Sequence, residues 1–145
     1  MCRPTTLRGG NAKEAIVNKT LPSVFVVDDE QLVAETLTTI LQRSGFAAQY
    51  FTDPRKALSA AHSEPPDLLL SDVMMPELSG VDLAIAIQGE CPACKIMLFS
   101  GHAETVDILF KAREKGYDFH LFAKPLHPTE LLRHIREQDP AWAFE

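Results

Sequence analysis

Four apolar runs in this chain each lead directly into a side chain suited to phosphoryl or metal chemistry. Ser23-Val-Phe-Val-Val27 runs into the acid pair Asp28-Asp29, and Leu68-Leu-Leu-Ser71 runs into Asp72. Lys95-Ile-Met-Leu-Phe99 runs into Ser100, and Leu121-Phe-Ala123 runs into Lys124, which Pro125 follows. Carboxylates at neighbouring strand ends would lie about 4–6 Å apart and repel by roughly 3 kcal/mol per pair at an effective dielectric of about 20. Such a cluster raises one pKa or recruits a cation. All-oxygen ligands in an open pocket suit a hard ion that keeps its waters, which points to Mg²⁺. Lys124 adds a permanent positive charge and Ser100 a donor, so metal, lysine and hydroxyl together would clamp a transferring phosphoryl group. Asp72 is then the natural nucleophile, giving an aspartyl-phosphate.

Those side chains need a scaffold that brings strand ends together, and the hydrophobic pattern supplies one. The run before Asp72 has no polar alternation and is fenced upstream by Pro65-Pro66, which predicts a short, fully buried strand. Between the strands, Gln31 to Ser44 places Val33, Leu37, Ile40 and Leu41 at helical spacing, with Gly45 at C′. Phe46 to Phe51 reads as a second, more exposed strand, and Asp53-Pro54 opens a helix to about Ser63. Val81 to Gln88 reads as a helix with apolar residues at 81, 84, 85 and 87, ending at Gly89. Glu104 to Lys115 is the next helix, stopped by Gly116, and a last one starts near Pro128 with Leu131, Leu132 and Ile135. Five strands alternating with five helices imply an α/β fold, a parallel sheet covered on both faces with right-handed crossovers. A carboxylate at the carboxyl end of such a strand points into the crevice where these sheets bind ligands.

With 145 residues, 46% of them hydrophobic and 23% charged, the chain has the size and composition of one globular domain. Net charge is −6, which argues against direct nucleic-acid binding. Residues 1–21 are basic, with Arg3, Arg8, Lys13 and Lys19 against Glu14, and read as a flexible tail; residues 140–145 read as a short tail after the domain at 22–139. No run approaches the roughly 20 apolar residues of a membrane span, and no apolar block follows Arg3 and Arg8 as a secretory signal would. Three cysteines, an odd number, suit a reducing cytoplasm.

At these residues the chain resembles the receiver domain of two-component response regulators. The resemblance rests on Val26-Val-Asp-Asp-Glu30, Ser71-Asp-Val-Met-Met-Pro76 with Gly80, Phe99-Ser-Gly101 and Lys124-Pro125, in order, and covers about Leu21 to Gln138. It implies a flavodoxin-like (βα)5 fold with strand order 2-1-3-4-5. It also implies that Asp72 accepts phosphate from a histidine kinase or histidine phosphotransfer protein, and that the chain is a signalling domain, not an enzyme. Asp29 would bind Mg²⁺ directly, Asp28 through water and Met74 by its backbone carbonyl, while Ser100 and Lys124 would hold the phosphoryl oxygens. An output partner would bind the face made by the fourth helix, fifth strand and fifth helix. Most members of this family carry Tyr or Phe three residues before the lysine, where this chain has Leu121; the segment from Gly116 to Lys124 is also one residue longer than usual. Phe119 and Phe122 are the two rings placed to substitute, and the sequence leaves open which.

Other features carry plainer readings. Cys91-Pro-Ala-Cys94 has redox spacing but precedes a strand instead of capping a helix, so it reads as a loop. His102 either borders the site or is a solvated loop histidine, and His62, His120, His127 and His134 are too scattered for a metal site. Phe110 and the Trp142/Phe144 segment are candidates for a partner surface. With no room expected after Gln138 for an output domain, a stand-alone receiver is the first expectation; a fragment of a longer DNA-binding regulator is the alternative. An Mg-dependent phosphatase with an Asp nucleophile would need an acid two residues later, where Met74 stands.

Overall fold

The computed structural model describes residues 21–101, 105–117, 119–124 and 127–142. The tail expected over 1–21, apart from Leu21, lies outside the described residues, as do His102, Glu104, Pro125 and Phe144. Strands β1 (Ser23–Val27), β2 (Ala47–Phe51), β3 (Leu68–Asp72), β4 (Lys95–Ser100) and β5 (His120–Ala123) alternate with helices. These are α1 (Gln31–Arg43), α2 (Pro54–Ser63), α3 (Gly80–Glu90), α4 (Thr105–Glu114) and α5 (Pro128–Glu137), followed by a 3-10 turn at Pro140–Trp142. All strand pairs are parallel and the order is β2-β1-β3-β4-β5, as the resemblance implied. Among the described residues no helix is long and apolar enough to cross a membrane.

The apolar runs of the central strands split between two cores because side chains alternate across a sheet. Phe25, Val27, Leu69, Ile96 and Leu98 pack on one face with Ala57 and Ala61 of α2 and Leu83 and Ile87 of α3. Val24, Val26, Leu68, Leu70, Met97 and Phe99 pack on the other with Ala34 and Leu41 of α1 and Leu131 and Ile135 of α5. Every residue of β3 is buried, which is why its sequence shows no polar alternation. Helix boundaries follow local chemistry. Asp53 accepts the Arg55 N–H and Ser79 the Asp82 N–H as N-caps. Gly45 and Gly116 take φ of 97° and 96° just past α1 and α4, a conformation that costs glycine no steric penalty.

Two expectations need correction. Helix α3 does not end at Gly89 but continues to Glu90, since Gly89 lacks the positive φ of a C′ glycine and the Cys91 N–H closes the last turn on Ile87. Its buried face also includes Leu83, while Ile85 is only partly buried. Trp142 is not a surface aromatic: it is 7% exposed and packs edge-on against Phe46 at 6.3 Å. The 3-10 turn after α5 folds it back over the α1/α5 core, where its large apolar area is worth more than in solvent. Phe110, by contrast, is exposed.

Among the described residues, a buried hydroxyl on α1 has no hydrogen-bond partner. Thr38 on α1 is 5% exposed and its Oγ1 makes no hydrogen bond. Thr38→Val keeps the shape and removes the unsatisfied hydroxyl, so it should raise the unfolding free energy by about 1 kcal/mol. Urea unfolding measures this, and a loss of stability would mean that the hydroxyl is bonded after all.

Candidate functional site

The register sets the site. Val27 lies opposite Ser71, Asp72 opposite Phe99 and Ser100 opposite Ala123, so the residues just beyond these pairs converge at the carboxyl end of the sheet. Asp28, Asp29 and Asp72 each offer a carboxylate oxygen, and these oxygens lie within 4.8 Å of one another. Asp28 and Asp72 are buried; Asp29 is exposed. Lys124 bridges from the far side, its Nζ donating to Asp28 Oδ2 at 3.1 Å and lying 3.5 Å from Asp72 Oδ2. The same ammonium stands 5.2 Å from the centre of the Phe99 ring, within cation–π range. The Lys124 N–H also donates to the Ser100 carbonyl, extending the β4–β5 ladder by one residue.

The two inner acids differ in their hydrogen bonding. Both oxygens of Asp28 have donors, Oδ1 from the Glu30 N–H at 2.9 Å and Oδ2 from Lys124. Asp72 faces Lys124 with Oδ2, while its Oδ1 is buried with no hydrogen-bond partner among the described residues. Burial pushes the Asp72 carboxyl up, against the pull of Lys124, and the charges of Asp28 and Asp29 push it further. Burial also works against the Lys124 ammonium, but its hydrogen bond to Asp28 and the charges of Asp28 and Asp72 leave it above the ordinary lysine value.

This donor set fits a hard cation. The orphaned Asp72 oxygen and the open Asp29 carboxylate, with no sulfur or imidazole ligand in the cluster among the described residues, are what Mg²⁺ selects. Asp28, with both oxygens already engaged, fits contact through water better than direct ligation.

Asp72 opens a loop built for close packing. The Gly80 N–H donates to the Val73 carbonyl at 2.8 Å, and a side chain at Gly80 would stand 2.1 Å from the Asp72 carbonyl oxygen. Glu77 in this loop takes φ of 76° and pairs with Arg55 at 3.2 Å. Met74 is partly exposed on the same loop.

Side-chain direction separates the three residues considered for the aromatic position. Leu121 pairs with Leu98 and so lies on the α3/α4 side of the sheet, 36% exposed. Phe119 belongs to that side too, buried and stacked on Tyr117, but it precedes β5 and sits two residues farther from Ser100 than Leu121. Phe122 faces the opposite core, 4.7 Å from His134. Neither ring therefore takes the Leu121 place. Cys91 and Cys94 are both buried, and Cys94 forms no disulfide, so the two are not bonded to each other.

Sequence reasoning passed over the role of Ser71. Its hydroxyl donates to the Asp72 carbonyl at 2.8 Å. Its only sequence signal is that of a lone polar residue in an otherwise apolar run.

Residues 24–136 match the response regulator receiver domain. The transcriptional regulatory protein CreB of Escherichia coli is 34% identical over 114 residues, covering 79% of this chain and 49% of CreB. The DNA-binding response regulator MtrA of Mycobacterium leprae is 33% identical over 113 residues, covering 78% of this chain and 49% of MtrA. The chain thus spans about half the length of these curated relatives. The structure is similar to a CheY-like response regulator receiver domain protein from Methanospirillum hungatei, with TM-score 0.75 at 24% identity, covering 85% of this chain and 97% of that one. A receiver domain protein from Clostridium thermocellum gives TM-score 0.70 at 24% identity, covering 81% and 93%. At such identities the structural likeness speaks for the fold alone.

Proposed function

The chain belongs to the response regulator receiver family, and from that premise we propose that it signals by accepting a phosphoryl group on Asp72. The observation that carries the proposal is the Asp72 carboxylate, with one buried oxygen unpartnered and the other facing Lys124 inside a three-acid cluster. An Asp72 oxygen attacks phosphorus in line and forms the new O–P bond. The P–N bond of a phosphohistidine breaks, its electron pair leaving with the imidazole nitrogen. With acetyl phosphate as donor, the P–O bond breaks and acetate leaves. Lys124 and Ser100 hold the phosphoryl oxygens as the charge on them shifts. When bound by Asp29, Asp72 and the Met74 carbonyl, with Asp28 through water, Mg²⁺ supplies charge neutralisation.

The donor is a histidine kinase or phosphotransfer protein, acting in the cytoplasm. The output partner binds the α4–β5–α5 face, where Phe110 and Leu121 are exposed and β5 forms the sheet edge. The receiver domain is taken as residues 22–139, with Trp142 packed onto it. Incubation with acetyl phosphate and Mg²⁺ tests the central step: intact mass should rise by one phosphoryl group, and the adduct should be labile to base. No adduct under these conditions would overturn the reading.

A second reading follows from the relatives, which are transcriptional and DNA-binding regulators about twice as long as the matched segment. In that reading this receiver controls a DNA-binding segment of a longer protein, and the length of the open reading frame decides between the two.

Lifetime of the phosphorylated state should depend on Met74. Hydrolysis needs a water opposite Asp72 in line with the P–O bond, and an apolar side chain two residues past Asp72 neither orients nor deprotonates it. Met74→Asn should therefore lose its phosphoryl group about threefold to tenfold faster than the parent. The decay is followed by intact mass after the donor is removed by desalting; an equal or slower decay would sink the idea.

A further inference from the structure

Taking Asp72 as the phosphoacceptor, we propose that Ser71 is a positioning residue for the transfer, acting through the peptide that joins Asp72 to Val73. Ser71 is 0% exposed in a strand otherwise made of leucines before Asp72. A hydroxyl there gives up water and needs a partner. The partner it takes is the carbonyl of the nucleophile itself, 2.8 Å away, not a group across the sheet.

That peptide is held on every side. Its oxygen receives Ser71 Oγ and is closed off by Gly80, where an added Cβ would stand 2.1 Å from the oxygen and 2.9 Å from Ser71 Oγ. Its nitrogen end is fixed by the Val73 N–H donating to the Phe99 carbonyl at 3.1 Å. The next carbonyl, that of Val73, receives the Gly80 N–H at 2.8 Å. Orientation of this one peptide plane sets two things at once. It sets the direction in which the Asp72 side chain leaves the strand, and the path on which the loop carries the Met74 carbonyl.

Removing the hydroxyl leaves a buried carbonyl without its strong donor, while the strand ladder and the apolar packing stay in place. The plane can then tilt, and in-line attack is sensitive to small misplacements. The effect falls on the reacting geometry and on metal affinity more than on the fold.

The test compares the parent with Ser71→Ala and Ser71→Thr. In Ser71→Ala the Asp72 carbonyl ¹³C resonance should move upfield, as expected on losing a hydrogen bond. Phosphorylation by acetyl phosphate should slow and the Mg²⁺ dissociation constant, from amide chemical-shift titration, should rise, each by about fivefold to tenfold. Ser71→Thr keeps the hydroxyl and should restore both to within about twofold. Ser71→Ala should melt only a few degrees below the parent, the loss expected for one unsatisfied buried carbonyl, and Ser71→Thr close to it. Should Ser71→Ala not fold, Ser71→Cys, of similar volume and with a poor donor, takes its place. Parent-like rate and Mg²⁺ affinity in Ser71→Ala would overturn the proposal, as would a slowing that the threonine does not rescue. If the parent itself takes no phosphoryl group, the phosphoacceptor reading fails separately, and Mg²⁺ affinity with the carbonyl shift still decides on Ser71.

Discussion

Asp72→Asn should take up no phosphoryl group from acetyl phosphate, and near neutral pH it should unfold less readily than the parent. The first half follows from chemistry: an amide oxygen lacks the charge that makes a carboxylate a nucleophile. The second follows from the surroundings of Asp72. Burial first, and then the charges of Asp28 and Asp29, hold its carboxyl above the ordinary value, with Lys124 opposing. A carboxyl whose pKa is raised on folding binds more protons in the native state than in the unfolded chain. Stability therefore falls as pH rises from about the unfolded value of 3.8 through the raised native one, and stays low above it. Asparagine is nearly the same size and never ionises, so the variant should lack this decline. The lost attraction to Lys124 offsets part of the gain, which leaves about 1 kcal/mol at pH 7. Urea unfolding across a pH series from about 4 upward should show the two proteins converging toward the acid end. Parallel curves would mean that ionisation of Asp72 costs the fold nothing. An adduct on Asp72→Asn would move the phosphoacceptor elsewhere.

Mg²⁺ should stabilise the folded protein more than any single substitution discussed above. It relieves repulsion among Asp28, Asp29 and Asp72, takes up the orphaned Asp72 oxygen, and has no comparable site in the unfolded chain. A ligand at 100 times its dissociation constant adds about 2.7 kcal/mol, which for a chain of this size is a rise of roughly 5–10 °C in melting temperature. Asp29→Ala is the informative variant. Its carboxylate is exposed, so its removal opens no cavity, yet it takes away the ligand best placed for direct contact. The expected result is a melting temperature in Asp29→Ala that no longer responds to millimolar Mg²⁺, beside a clear rise in the parent that chelator reverses. No rise in the parent would dismiss the metal assignment. A full rise in Asp29→Ala would leave the metal and remove Asp29 from its ligands.

The alternation of buried runs with 3.6-residue periodicity was enough to set five parallel strands against five helices. Both kinds of signal are local. A strand buried on both faces must be apolar throughout, as Leu68 to Leu70 are, and helix ends carry their own capping chemistry at Asp53, Gly45 and Gly116. Parallel strands, moreover, all end on one side of the sheet, so side chains that terminate them are gathered by topology alone. Asp28, Asp29, Asp72 and Lys124 could thus be grouped from the chain, since their grouping depends on strand direction and not on fine packing.

What depended on side-chain direction and long-range contact was decided only in three dimensions. Phe119 and Phe122 are equivalent in a sequence, but the β4–β5 register sends Phe122 to the α1/α5 core and leaves Leu121 on the side of Ser100. Trp142 lies beyond the last helix, where a short tail was expected, yet a turn at Pro140 returns it to Phe46, far away in the chain. Lys124 lies closer to Asp28 than to Asp72, so one acid is satisfied and the other is left with a bare oxygen. Ser71 becomes more than a polar gap in an apolar run only because Gly80 closes on the carbonyl that its hydroxyl holds. Each of these outcomes rests on contacts between segments remote in sequence, whose distances hydrophobic periodicity does not encode.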